Sequence, residues 1–194
     1  MKKIVLASSN AGKLQEFQHL FQDEGIQFIS QVQFDISDAD ETAATFLENA
    51  LLKARHASHY SGLPALADDS GLCVPGLQGA PGVYSARYAG EPKSDADNNQ
   101  KLLQELKGKD RRAYFCCTLV LVEHEFDPMP LVFQGQWWGE ILEGPQGKNG
   151  FGYDPLFLIP SLGKTAAELD LSLKNSLSHR GLAVLKLREY WNVK

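Results

Sequence analysis

The stretch Lys3-Ile4-Val5-Leu6-Ala7-Ser8-Ser9-Asn10-Ala11-Gly12-Lys13-Leu14 changes character twice within twelve residues. Its first five residues form a β-type run. Ser8 to Gly12 is a polar turn, and beyond it Leu14, Phe17, Leu20 and Phe21 recur at helical spacing. A strand, a turn and a helix is the opening unit of an α/β fold. The run from Ile4 to Ala7, behind the basic tip Met1-Lys2-Lys3, is too short for a signal peptide and breaks at once into polar residues. It reads as a first strand.

Working outward, Gln27 to Ser30 reads as a short strand and residues 33–42 as an acidic, irregular loop. Thr42 or a neighbour should cap a long helix reaching about Tyr60, with Phe46, Ala50, Ala54 and Ala57 on one face, closed by Ser61-Gly62 ahead of Pro64. Pro64 to Ala67 is an apolar strand, with Asp68-Asp69-Ser70-Gly71 turning out of it. Residues 75–93, rich in Gly and Pro, form an ordered loop before a helix that Ser94 or Asp95 caps and that carries Leu102, Leu103 and Leu106. Tyr114 to Val122 and Leu131 to Leu142 are long β runs joined through Asp127-Pro128-Met129-Pro130, as in an antiparallel hairpin. Leu156 to Ile159 is one more strand, Thr165 and Glu168 have capping-box spacing, and a last helix follows Ser178-His179-Arg180. With at least one antiparallel pair among mixed elements, the fold class is α/β with a mixed sheet.

At 194 residues the chain is one domain, residues 1–194, with room for a second lobe. Its net charge of −5 disfavours a broad electrostatic grip on nucleic acid, while leaving a small anionic ligand open. No segment approaches the roughly 20 apolar residues of a membrane span. The 3 cysteines, Cys73, Cys116 and Cys117, are odd in number and two are adjacent, which points to buried reduced thiols rather than a disulfide frame or a zinc site.

Five places carry candidate chemistry. Ser8, Ser9, Asn10, Ala11, Gly12 and Lys13 offer backbone N–H groups and an ammonium to phosphate oxygens, or are an ordinary turn; they are no Walker loop, because Leu14 stands where Ser or Thr would hold magnesium. Asp68 and Asp69 at the end of a buried strand want a cation, and magnesium, with its preference for oxygen, would serve; the alternative is an Asx-turn. Asp38-Ala39-Asp40-Glu41 is a solvated helix start or an acidic site, and Lys53 a surface residue or a phosphate ligand. Gly150-Phe151-Gly152-Tyr153-Asp154-Pro155 allows close backbone approach and offers rings to a planar base, or is a turn with core aromatics. Lys174, His179 and Arg180 near a helix start oppose its dipole and want an acceptor, such as a carbonyl oxygen on a base edge, unless they face solvent.

In order and spacing, Ser8–Lys13, Asp68-Asp69-Ser70-Gly71-Leu72 and Gly79-Ala80-Pro81-Gly82-Val83-Tyr84-Ser85-Ala86-Arg87 form a specific set with three further pieces. These are Phe151-Gly152-Tyr153-Asp154-Pro155, Gly163-Lys164-Thr165-Ala166-Ala167-Glu168 and Ser178-His179-Arg180-Gly181. Over its whole length the chain resembles the inosine triphosphate pyrophosphatase family, the Ham1-like enzymes of bacterial type. The resemblance implies an elongated mixed sheet flanked by helices, with two lobes around a central substrate cleft. It implies hydrolysis of ITP, dITP and XTP to monophosphate and pyrophosphate, a Mg2+ requirement, a homodimer, and a cytoplasmic enzyme bound to neither nucleic acid nor membrane. It assigns Ser8 to Lys13 and Lys53 to the triphosphate, Asp69 to water activation and metal, Glu41 to metal, and Ser70 to substrate. Phe151, Gly152, Tyr153, Asp154, Lys174, His179 and Arg180 fall to the base. Rival readings are a Maf-type pyrophosphatase of other base preference, a phosphatase with an aspartate nucleophile, and a non-catalytic nucleotide sensor.

Overall fold

Lys2–Leu6 forms the first strand (β1), and Asn10 caps the helix behind it, Ala11–Leu20 (α1), as the opening segment predicts. The computed structural model describes residues 2–21 and 24–192, with the side chains of Glu16, His19 and Leu20 outside that description. The expected place of Leu20 on the apolar face, and of Met1 at the basic tip, therefore lies outside the described residues. The next elements are β2 (Ile26–Ser30), α2 (Phe46–Ser61), β3 (Ala65–Cys73) and α3 (Asp95–Glu105). After them come β4 (Arg112–Val122), β5 (Leu131–Ile141), β6 (Phe157–Ile159), β7 (Lys164–Thr165), α4 (Leu171–Leu177) and α5 (His179–Asn192). The seven strands lie in the order β2-β1-β3-β4-β5-β6-β7. β1 is parallel to β2 and β3, whereas β6 is antiparallel to β5 and β7, so the sheet is mixed, as the sequence indicates.

Two compact units divide the chain. The first contains Met1–Asp69, Thr118–Gln134 and Ala183–Lys194; the second contains Ser70–Cys117 and Gly135–Leu182. The division falls inside β3, between Asp69 and Ser70.

In the first unit, strand alternation sorts the core into two faces. Val5 of β1 and Ala7 just beyond it, Ala65 and Ala67 of β3, and Val120 and Val122 of β4 meet Ala50, Ala54 and Ala57 of α2. Alanine at these helical intervals gives α2 a narrow apolar stripe with little side-chain entropy to lose. The other face carries Ile4, paired with Phe28 of β2. Phe28 packs edge-on to Phe17, with ring centroids 5.3 Å apart, and Phe21 does the same with Trp191 at 5.3 Å. Thr45, not Thr42, caps α2: its Oγ1 accepts from Glu48 N at 3.2 Å and its hydroxyl donates to Glu48 Oε2 at 2.7 Å. Gly62 ends that helix with a φ of 66°.

The core of the second unit gathers Leu72 and Val74, Leu102 of α3 and its C-cap Leu106, Phe115, Trp137, Tyr153 and Phe157. In β5, Gly135, Trp137, Gly139 and Ile141 are buried and alternate with exposed neighbours, the period-2 pattern of a strand with one face on the core. Thr165 and Glu168 form the expected capping box, the carboxylate accepting from Thr165 N at 2.8 Å. All three cysteines are free and buried. Among the described residues no helix is long and apolar enough to cross a membrane.

Two expectations need correction. Asp68 to Gly71 is no turn: β3 runs unbroken to Cys73. A short helix, α4, precedes α5, so Lys174 lies in its last turn, where the helix dipole favours a cation.

Asp127 shows how the link after β4 is held. Its Oδ2 accepts from Glu123 N at 2.9 Å and its Oδ1 from Met129 N at 2.8 Å. Those two N–H groups hold the carboxyl below its ordinary value. A depressed folded-state value means its stabilisation is complete above the unfolded pKa and lost as pH falls through the folded one. Asp127→Ala is therefore expected to cost about 1–2 kcal/mol at neutral pH, the usual worth of a capping carboxylate. Urea unfolding should show that gap closing in strong acid; a gap independent of pH would contradict this role.

Candidate active site

Asp68 and Asp69 are consecutive in a strand, so their side chains leave opposite faces of the sheet. Each meets its own lysine. Lys13 of α1 grips Asp68 with Nζ 2.8 Å from Oδ1 and 2.9 Å from Oδ2, and the Asp68 side chain is almost fully buried. Asp69 shares its face with Ala65 and Ala67, toward α2, and there Lys53 Nζ lies 2.9 Å from its Oδ1. Mutual repulsion, the reason to expect one shared cation, is thus removed by the backbone itself.

The same Lys53 ammonium bonds Glu41 Oε1 at 2.7 Å, so two carboxylates converge on one cation and leave one negative charge in excess. Burial pushes the Asp69 carboxyl above its ordinary value; Lys53 pulls it part of the way back, and the like charge of Glu41 adds to the rise. Burial also works against the Lys53 charge, but Asp69 and Glu41 outweigh it and its pKa stands above the lysine norm. Lys53 therefore remains an ammonium, while the Asp69 carboxyl takes up a proton more readily than an exposed aspartate would.

The acidic segment before α2 is held by specific bonds, although Asp38 and Asp40 remain exposed. Buried Asn49 of α2 accepts from Ala43 N at 2.9 Å, which ties down the chain next to Glu41. Asp38 accepts from Gln31 Nε2 at 2.6 Å and from the Ser9 hydroxyl at 3.2 Å, joining this segment to the first turn. In that turn Asn10 Oδ1 accepts from Gly12 N at 2.9 Å and Lys13 N at 3.2 Å, and Ser8 Oγ accepts from Asn10 N at 3.1 Å. Two of the amides that could serve an anion are thus held by Asn10, a bond that a phosphoryl oxygen would share or replace. Ser8, Ser9, Asn10, Lys13, Glu41, Lys53 and Asp69 all belong to the first unit.

The remaining candidates belong to the second unit. Asp154 Oδ2 accepts from Phe151 N at 2.9 Å and pairs with Lys174, whose Nζ stands 4.8 Å from the centre of the Phe151 ring. Gly150 is required here: its φ is 77° and a Cβ would lie 2.2 Å from Asp154 Oδ2. Phe151 is 69% exposed, whereas Tyr153 is 4% exposed and donates its hydroxyl to Ser85 O at 2.9 Å. Phe151 thus offers a ring face and Tyr153 is a core residue by burial. His179 stacks on Phe115, with centroids 5.0 Å apart and planes at 17°. Arg180, half-buried, begins α5 beside it. The Ser70 hydroxyl is buried with no hydrogen-bond partner among the described residues, a condition native proteins avoid unless a ligand or water completes it.

Two residues that sequence reading did not place at the site, one of them named only as a possible helix cap, hold the Phe151 loop. Asp95 Oδ2 accepts from Gly152 N at 2.7 Å, and Asn99 Nδ2 donates to Gly152 O at 2.9 Å. They stand four apart on α3, one above the other, and clamp both ends of one residue. The spacing is visible in the sequence, but its partner 53 residues away is not. Asn99→Ala is expected to raise KM for a substrate that stacks on Phe151 by about tenfold, one charge-free hydrogen bond with its partly buried partner left unpaired. Steady-state kinetics with an unchanged KM would remove the clamp from substrate binding.

Taken together, these features are those of a mixed-sheet α/β protein with a lysine-bridged carboxylate pair and a strand-to-helix turn suited to anions. The Ham1 family model matches residues 4–190, and the chain belongs to the Ham1 family. It is 59% identical over 189 residues to a protein of Burkholderia pseudomallei named dITP/XTP pyrophosphatase, covering 95% of this chain and 91% of that protein. A Neisseria meningitidis serogroup B protein of the same name is 56% identical over 188 residues, covering 96% and 94%. Among solved structures, a HAM1 protein from Coxiella burnetii superposes with a TM-score of 0.98 at 52% identity, over 100% of both chains. The Staphylococcus aureus Ham1 protein gives 0.92 at 44% identity, over 98% of both.

Proposed function

We propose that this chain is a pyrophosphatase for nucleoside triphosphates with non-standard purines: it hydrolyses ITP, dITP and XTP to the monophosphate and pyrophosphate and so cleanses the nucleotide pool. The observation that carries the chemistry is Lys53 bridging Glu41 and Asp69, with Asp69 raised by burial. The names of the Burkholderia and Neisseria relatives support the substrate class.

In this reading Asp69 accepts a proton from the attacking water, a task suited to a carboxylate whose pKa has been moved upward. Ser8 to Lys13 and Lys53 hold the phosphates, and Ser70 completes its hydrogen bonding on substrate. The base is recognised by the exposed Phe151 ring, the 152–154 backbone, Lys174, His179 and Arg180. Glu41 and Asp69 are a hard oxygen donor pair with an excess negative charge, which fits Mg2+; the ion when bound would neutralise charge developing on phosphate oxygens. We take residues 1–194 as one catalytic domain acting as a homodimer in the cytoplasm, where its substrates are made.

Selectivity follows from hydrogen-bond polarity. Hypoxanthine and xanthine carry a carbonyl at carbon 6, an acceptor for Arg180 and backbone N–H groups, where adenine carries an amino donor. A site left with unpaired buried donors can reject the mismatched analogue by about 10⁴–10⁵. Arg180→Ala should accordingly reduce kcat/KM for ITP more than for ATP; equal losses would mean that Arg180 does not read the base.

The reading is tested by incubating the protein with Mg2+ and, separately, ITP, XTP, ATP and GTP, and identifying products. Pyrophosphate from ITP and XTP, with little turnover of the other two, is expected. Orthophosphate would mean an aspartate-nucleophile phosphatase, preference for other modified bases a Maf-type enzyme, and binding without turnover a sensor.

A further inference from the structure

Asn49 is 2% exposed and lies beside the alanine stripe of α2. A buried amide costs free energy unless its hydrogen bonds are made, and an alanine there would only have widened the stripe. Its bonds go to the backbone of a single residue. Oδ1 accepts from Ala43 N at 2.9 Å and Nδ2 donates to Ala43 O at 3.4 Å, so one side chain holds both polar groups of that peptide unit. The orientation of the amide is fixed by chemistry, because a backbone N–H can only donate.

Residues 36–43 belong to no helix or strand, so their course depends on such anchors. Thr45, Asn49 and Lys53 are spaced by four and share one side of α2. Thr45 is where the incoming chain joins the helix, Asn49 holds Ala43, and Lys53 Nζ bonds Glu41 Oε1 at 2.7 Å. Four helical residues rise about 6 Å, and two residues of extended chain span at most about 7 Å. The two steps match, and the chain from Ala43 back to Glu41 lies along the helix from Asn49 to Lys53.

We propose that Asn49 is a positioning residue for the divalent cation: by fastening Ala43 it keeps the Glu41 carboxylate beside Asp69, and so sets the affinity for Mg2+. This rests on the reading above, in which Glu41 and Asp69 are the cation's ligands. Without the anchor, the Glu41 side chain is held, among the described residues, by Lys53 alone, and Lys53 is shared with Asp69. The two carboxylates repel each other. Asp69 is fixed in a central strand, whereas Glu41 is on a loop with its side chain 34% exposed, so Glu41 is the one that turns to water. A cation then meets one carboxylate in place of two and must order the second as it binds, which weakens binding.

The test titrates the full chain with Mn2+, a cation of similar oxygen preference, and reads binding from the relaxation of water protons. No nucleotide is present, so the result stands whichever triphosphate the protein hydrolyses. Asn49→Ala is expected to weaken Mn2+ binding by about 10–100-fold, the range for groups that orient a metal ligand, with the circular dichroism of the wild type. Glu41→Gln should weaken it at least as much. Because Asn49 acts through Glu41, the double variant should bind within about twofold of Glu41→Gln, whereas a general loosening of the fold would multiply the two losses. Ala43→Pro strikes the same bond from the other side by removing the N–H, and should match Asn49→Ala; it decides the matter if that variant fails to fold. Wild-type affinity in folded Asn49→Ala, or multiplied losses in the double variant, would overturn the proposal alone. Wild-type affinity in Glu41→Gln, or no binding by the wild-type chain, would overturn the metal reading of Glu41 and this proposal with it.

Discussion

Asp69→Asn is expected to lower kcat by about 10³-fold or more, the upper part of the range for removing a general base, while the protein stays folded. The amide keeps the shape and still accepts a hydrogen bond from Lys53, but it cannot take a proton from water. Its effect on stability has a definite sign. An acid whose folded-state pKa is raised binds its proton more tightly folded than unfolded, so its ionised form subtracts from stability at neutral pH. The neutral amide should therefore melt at the wild-type temperature or above it. Wild-type turnover in the variant would take Asp69 out of its role, and a collapsed melting temperature would mean that the carboxylate serves structure.

Lys53→Met should damage both stability and rate. Lys53 and Asp69 are 14% and 11% exposed at the side chain, so removing the ammonium strands the Asp69 carboxylate in a largely dry place beside the partly exposed Glu41. Loss of one partner of a buried pair costs about 3–5 kcal/mol, lessened here by protonation of Asp69. Without its main lowering partner, Asp69 must rise further, and the acid limb of the pH–rate profile should move to higher pH. That limb belongs to the cluster as a whole rather than to a single group. Loss of one donor from the phosphates should reduce kcat by about 10²–10³-fold. A limb that stayed in place or moved to lower pH would show that Lys53 does not govern the Asp69 charge.

These two residues also show what a sequence discloses and what it hides. The mixed α/β class follows from local pattern: the long β-type run of β5, the alanine stripe of α2, the Gly62 stop and the Thr165–Glu168 box each depend on neighbours a few residues away. Asp68 to Gly71 misleads for the same reason. Asp, Ser and Gly are poor strand formers that favour turns, and only the flanking strands of the sheet keep that segment extended. Lys53 is ambiguous from its helix alone, because its partners lie 12 residues before it and 16 after it. Ser9 and Asp38, or Asn99 and Gly152, are joined by tertiary packing that no spacing encodes. α4 has only seven residues, and its cap Asp170 resembles many surface aspartates.

The most direct measurement follows the oxygen of the attacking water. Hydrolysis of ITP in water enriched in heavy oxygen, with products separated and weighed, reports which phosphorus is attacked. Water activated at Asp69 and directed to the α-phosphorus puts the label in inosine monophosphate and leaves pyrophosphate unlabelled. Label in pyrophosphate, or in orthophosphate, would contradict the account.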